Sequence, residues 1–171
     1  MESDQEKVYV VDEGNLPLAI MTSEQVHLQR LRHRGFMLLL TAGHDRFVLR
    51  RLDRSHPLYP GRWDIVGSGH VLAGQAAEEA AEGQLPPVTA GLTGNLRHLR
   101  TLDSGAGTGR EIVEVFGAEI PEQGLRLLLH DRTFLAVDHE ELNALATSYP
   151  DQLTPTLLTA WDFGLHLAAA S

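Results

Sequence analysis

Residues 63–92, WDIVGSGHVLAGQAAEEAAEGQLPPVTAGL, constrain the fold of this chain more than any other stretch. Trp63, Ile65 and Val66 favour extended backbone, Gly67 and Gly69 permit a tight path, and the run 76–82 is rich in alanine and glutamate and favours helix. Pro86 and Pro87 stop that helix near Leu85, because a proline inside a helix removes a backbone hydrogen bond at a cost of roughly 3 kcal/mol. Strand, glycine turn and helix in that order suit a phosphate, since helix starts after glycine turns attract anions. The outline alone specifies no ligand.

The chain around it has 171 residues, enough for one domain spanning 1–171. A domain of this size buries roughly 70% of its unfolded surface around one core. Its longest apolar run, 36–40 and its neighbours, falls well short of the roughly 20 residues that cross a bilayer. The polar start MESDQEK has no apolar segment of the signal-peptide kind, so a soluble, cytoplasmic protein without a membrane partner is expected. With no cysteine there are no disulfides, thiolate metal sites or cysteine nucleophiles. A net charge of -9 argues against nucleic acid as a partner, since its phosphates need a basic footprint.

Turn residues 12–15 between the β-prone runs 8–11 and 16–20 predict a hairpin. Thr22 or Ser23 is suited to cap a short helix, with Gln25 three residues after Thr22. A second hairpin is expected from strand 35–40, turn 42–45 and strand 46–51. Strands are also expected at 92–102, 111–120 and 134–137, with a glycine-rich hairpin loop at 103–109. Helices are expected at 140–146 and 155–170, capped by Asp138 and Thr154, with Pro155 in the first helical position. Elements in this order, without a βαβ rhythm, predict an α+β fold.

GHVLAG followed by AAEEAA, preceded by RRLDRSHPLYPGRWD, resembles the Nudix hydrolase superfamily, in its branch related to isopentenyl diphosphate isomerase. That branch reads GHV-x-x-GE-x-x-EAA after RR-x-x-x-K and PG-x-WD, with Arg54 here at the lysine position. The resemblance covers roughly residues 5–160 and implies an α/β/α sandwich: a mixed sheet flanked by helices. It also implies a ligand such as a nucleotide or another small molecule containing a diphosphate, and a divalent metal, magnesium or manganese. The superfamily's helix holds that metal through glutamates, whose positions here are Gln84, Pro87 and Val88. Its bracing loop glutamate and helix arginine are replaced together, by Gln75 and Gly83.

The remaining helix carboxylates do not substitute. Measured from Gln84 at about 100° per residue, Glu82 lies about 200° away, Glu79 about 140° and Glu78 about 240°. Ala80 and Ala81, one turn before Gln84 on its own face, have no ligating atoms. Glu78, Glu79 and Glu82 therefore read as a solvated surface, and pyrophosphohydrolase activity is expected to be weak or lost. The alternatives are an active hydrolase with ligands recruited outside the helix, from His70, Gln84, Glu111 and Glu114, and a non-catalytic interaction or regulatory module. Isomerase activity is not expected, because the relatives' catalytic cysteine is Ser68 here.

In the isomerase relatives, histidines before the first long strand, the histidine of the GH turn and a later glutamate hold a second divalent metal. The similar positions are His27, His33, His70 and Glu111, a donor set suited to manganese, zinc or iron. Read without the resemblance, His33 caps a strand and His70 hydrogen-bonds in its turn. The candidate catalytic residues are thus Gln84, Glu111 and Glu114. Arg51, Arg54 and Arg62 are candidates for phosphate, Tyr59 for stacking a base and Gly69 for close approach to a ligand. A homodimer is left open.

Overall fold

The computed structural model describes residues 5–43, 45–105 and 108–170; His44 of the expected turn and residues 106–107 of the expected loop lie outside them. A mixed sheet of nine strands is organised around β3 (His33–Ala42). Before it come the hairpin β1 (Lys7–Val11) and β2 (Pro17–Thr22), then α1 (Ser23–Leu28). β4 (Arg46–Arg51) returns antiparallel to β3, and β9 (Phe134–Val137) pairs with β4. On its other flank β3 runs parallel to β8 (Glu111–Ile120), with His33 beside Glu111 and Ala42 beside Ile120. β7 (Arg97–Leu102) pairs antiparallel with β8.

The near-continuous apolar run of β3 is what a strand covered on both faces requires. Met37 and Leu39 join Phe47, Val113 and Val115 beneath α4 (His139–Ser148), α5 (Pro155–Asp162) and α6 (Leu165–Ala170), which supply Leu142, Leu157 and Leu165. Phe36, Leu38 and Leu40 join Phe116 and Ile120 on the other face, covered by Ala80 and Ala81 of α2 (Ala77–Glu82) and Leu125 and Leu128 of α3 (Glu122–Leu128). The architecture is the α+β, α/β/α sandwich expected.

Local differences from the sequence reading include the helix expected to run to near Leu85, which ends at Glu82. The apolar stretch at Trp63 is two short strands: β5 (Trp63–Asp64) pairs with β4, and β6 (Gly67–His70) with β3. Between them the chain changes partner, burying Ile65 in one core and Val66 in the other. The expected helix 155–170 is divided into α5 and α6 at Gly164, whose φ of 66° suits a residue without a Cβ. The expected strand 92–102 starts only at Arg97. The expected caps form: Thr22 with Gln25, Asp138 with Glu141, and Thr154 at α5. Among the described residues no helix is long and apolar enough to cross a membrane.

Candidate metal centre

Four chain segments bring His27, His33, His70 and Glu111 together. α1 carries His27 in its last turn, and Arg30, with φ of 52°, reverses the chain into β3, which begins at His33. The parallel register sets Glu111 beside His33, and the antiparallel register of β6 sets His70 beside Gly35. Paired residues project to the same side of a sheet, so His33, His70 and Glu111 share a face. One ligand atom from each of the four lies within 4.8 Å of the others.

Gly35 makes this possible. A Cβ there would stand 2.6 Å from a Glu111 carboxylate oxygen and 3.3 Å from the Gly69 carbonyl oxygen, so only glycine leaves the carboxylate its path.

His33 Nδ1 lies 3.0 Å from the Leu31 carbonyl oxygen and donates to it, which directs Nε2 at Glu111 Oε1, 3.2 Å away. His27 Nε2 and His70 Nε2 are 3.0 Å apart, and His70 Nε2 is 3.4 Å from the same Glu111 oxygen. Each of these spacings joins atoms that carry lone pairs, and each requires a proton or a cation between them. In a tetrahedral zinc site with bonds of about 2.1 Å, ligand atoms stand about 3.4 Å apart, close to these three spacings.

The charge balance agrees. Burial raises the Glu111 carboxyl, but hydrogen bonds from His33 and His70 outweigh it and hold the group at about 2. The hydrogen bond to Glu111 raises His70 above its ordinary 6.5 against the opposing effect of burial, with Glu6 Oε2 assisting from 3.6 Å at Nδ1. A cation binding there would displace protons from imidazole nitrogens.

Two clefts flank the cluster. One of about 420 Å³ is lined by His70, Gln75, Gln84 and Glu6, the other of about 270 Å³ by Glu111, Thr108, Pro155 and Thr156; Phe36, Ser68 and Gly69 line both. Among the described residues no lysine or arginine lines either cleft.

The expected catalytic set is therefore divided. Gln84 and Glu111 line adjoining clefts, but Glu114 stands beside Phe36 in the register, on the opposite side of the sheet, where it accepts from Thr101 at 2.8 Å and pairs with His98. The expected substrate set is divided too. Arg51 and Arg54 line a third cleft of about 360 Å³ with Arg50 and Arg132, and this cleft shares no lining residue with the two at Gly69. Arg62 lies over the Tyr59 ring at 5.5 Å and donates to the Leu153 carbonyl, so these two hold the loop to the helices. Sequence reasoning missed Gly35, Ser68 as a wall of both clefts, Glu6 and Arg132. A glycine in an apolar strand was the available signal for the first.

α2 lacks a convergent set. Ala80 and Ala81 are buried in the core, while Glu78, Glu79 and Glu82 are exposed. Glu79 only caps its own helix, 3.3 Å from the Ala76 amide. Gln75 accepts from the Leu72 amide and Gly83 caps α2, so the paired replacement leaves no buried charge behind.

No protein-family model matches the chain. Over 76 residues, 44% of the chain, it is 33% identical to an uncharacterised Nudix hydrolase of Yersinia pestis, and over 83 residues, 48% of the chain, 31% identical to one of Pseudomonas aeruginosa. Those matches cover 42% and 49% of the two relatives, so the chain spans less than half the length of each. The fold is similar to that of a Deinococcus radiodurans protein (TM-score 0.61, 17% identity, 84% of this chain and 90% of that one). It is also similar to a MutT/Nudix family protein of Listeria innocua (TM-score 0.53, 17% identity, 80% and 98%). A third similar fold is NrtR of Shewanella oneidensis, solved with a 27mer DNA (TM-score 0.54, 16% identity, 80% and 59%). The fold is thus that of Nudix proteins, and over less than half of its length the sequence is similar to Nudix hydrolases.

Proposed function

We propose that this chain binds a diphosphate-containing small molecule beside a divalent cation held by His27, His33, His70 and Glu111, and that its pyrophosphohydrolase activity is weak or lost. The observation that carries the reading is the convergence of four ligand atoms within 4.8 Å in a fold whose α2 presents none. A cation held there would supply the positive charge that polarises a phosphoryl oxygen. Ser68, Gly69 and Gln84 line the space beside His70 in which such a ligand would lie. Arg50, Arg51, Arg54 and Arg132 offer guanidinium groups suited to a further phosphate.

Ser68, where the isomerase relatives have cysteine, weighs against isomerisation, and the separation of Glu114 from Glu111 weighs against an active site that uses both. Elemental analysis of untagged protein, followed by titration with manganese and zinc, tests the centre: one ion per chain is expected. No bound ion and no response to either metal would remove it. Screening nucleoside di- and triphosphates, dinucleotides and ADP-ribose with magnesium or manganese tests the chemistry. Turnover above about 1 per second, near the low end for enzymes, would overturn the impaired reading.

A further inference from the structure

A cleft of about 260 Å³ lies on the side of the sheet that carries Glu114, lined by Asn15, Arg34, Gln75, Ile112, Glu114 and Phe116 among others. It shares only Gln75 with the clefts beside the histidines.

Its two charged groups are held in place and held apart. Arg34 Nε donates to Asn15 Oδ1 at 2.8 Å, its Nη2 donates to the Asn15 carbonyl at 2.7 Å, and its guanidinium lies over the Tyr9 ring at 5.8 Å. The turn that presents Asn15 is fixed in turn: Asn15 has φ of 63°, and Asp12 Oδ1 takes the amides of Gly14 and Leu16. No carboxylate pairs with Arg34 among the described residues. Glu114 is anchored through Oε2 alone, by Thr101 and His98, with its other oxygen outside these bonds.

Arg34 and Glu114 thus line one cleft without neutralising each other, and Val71, Ile112 and Phe116 form an apolar surface with them. A half-buried cation with no anion is unfavourable unless a ligand or solvent completes it. A ligand that meets both Arg34 and the Glu114 oxygen left outside the Thr101 and His98 bonds carries a carboxylate, a cationic amine and a short hydrocarbon part. We propose that this cleft is a second binding site, for a small zwitterion of the aliphatic α-amino acid class. Its carboxylate faces Arg34, its ammonium faces Glu114, and its side chain lies on Val71, Ile112 and Phe116.

The test uses the full chain, L-valine, and two molecules that each lack one of its charges: isobutylamine and isovalerate. Near saturation L-valine raises Tm by about 3 °C or more, and neither single-charge analogue does so at equal concentration. Arg34→Gln and Glu114→Gln each abolish the shift, and calorimetric titration of the same variants shows no heat of binding. Should either variant unfold, Ala77→Leu, at a half-buried position lining the cleft, removes the response by filling it. No shift with L-valine, an equal shift with isovalerate alone, or a shift that survives all three substitutions would overturn the assignment.

Discussion

α2 and the start of β3 form a contrast in how carboxylates and imidazoles are used. α2 has three glutamates in six residues, all exposed and none directed at a common point. The start of β3 draws one residue from each of four segments, and their ligand atoms meet within 4.8 Å. Ligand density along the chain is therefore a poor guide to a site. A site needs convergence, and here the sheet register supplies it while the helix phase does not.

The sharpest break in that contrast comes from removing a ligand. Glu111→Gln or His33→Ala is expected to weaken manganese or zinc binding by more than about 100-fold in a calorimetric titration, beyond what outer-shell changes produce. If affinity survived both, the cluster would not be the metal site. Gly35→Ala tests the same point without touching a ligand: the added carbon would displace the Glu111 carboxylate. Metal affinity should fall about 10- to 100-fold, with a loss of about 1–3 kcal/mol in denaturant unfolding from overpacking. A Gly35→Ala protein with unaltered affinity would show that Glu111 binds from another direction.

pH separates the metal-free and metal-bound forms by sign. Glu111 at about 2, against an ordinary 4.5, adds stability that is present above 4.5 and lost as pH falls toward 2. His70, raised above 6.5, adds stability that is present below 6.5 and lost as pH rises through its folded value. As pH rises from about 6.5 through the raised His70 value, this centre's contribution to stability should fall in metal-free protein, while manganese affinity rises as protons leave the imidazoles. Comparing wild type with His70→Ala by thermal unfolding isolates the first slope, and parallel slopes would refute it. The smallest effect belongs to α2: Glu78→Gln with Glu82→Gln should change stability by no more than about 0.5 kcal/mol and leave metal affinity unchanged.

Local chemistry made much of this legible in the sequence. Thr22, Asp138 and Thr154 cap helices because each offers a side-chain oxygen one turn before an amide, a relation contained within four residues. The exposure of Glu78, Glu79 and Glu82 followed from helical phase alone. The meeting of His27, His33, His70 and Glu111 was suggested by family resemblance, and the chain reversal at Arg30 brings the first two histidines together. The division of the arginines was not visible. Arg51 and Arg54 reach a cleft completed by Arg132, about eighty residues later, and no local period encodes that meeting. The opposition of Glu111 and Glu114 was open to a period-two count along one strand, because an odd separation places them on opposite faces.

The pairing of β3 with β8 also gives the molecule a gauge of its own assembly. His33 and Glu111 are separated by 78 residues and adjoin only when these two strands align in parallel. A slip of one residue would turn either side chain to the wrong face. Closing so long a span is a slow event compared with forming a helix or a hairpin. If the cluster holds manganese as proposed, uptake of the ion during refolding would time the moment at which β8 docks in register, and would distinguish chains that have merely collapsed from those whose central strands are aligned.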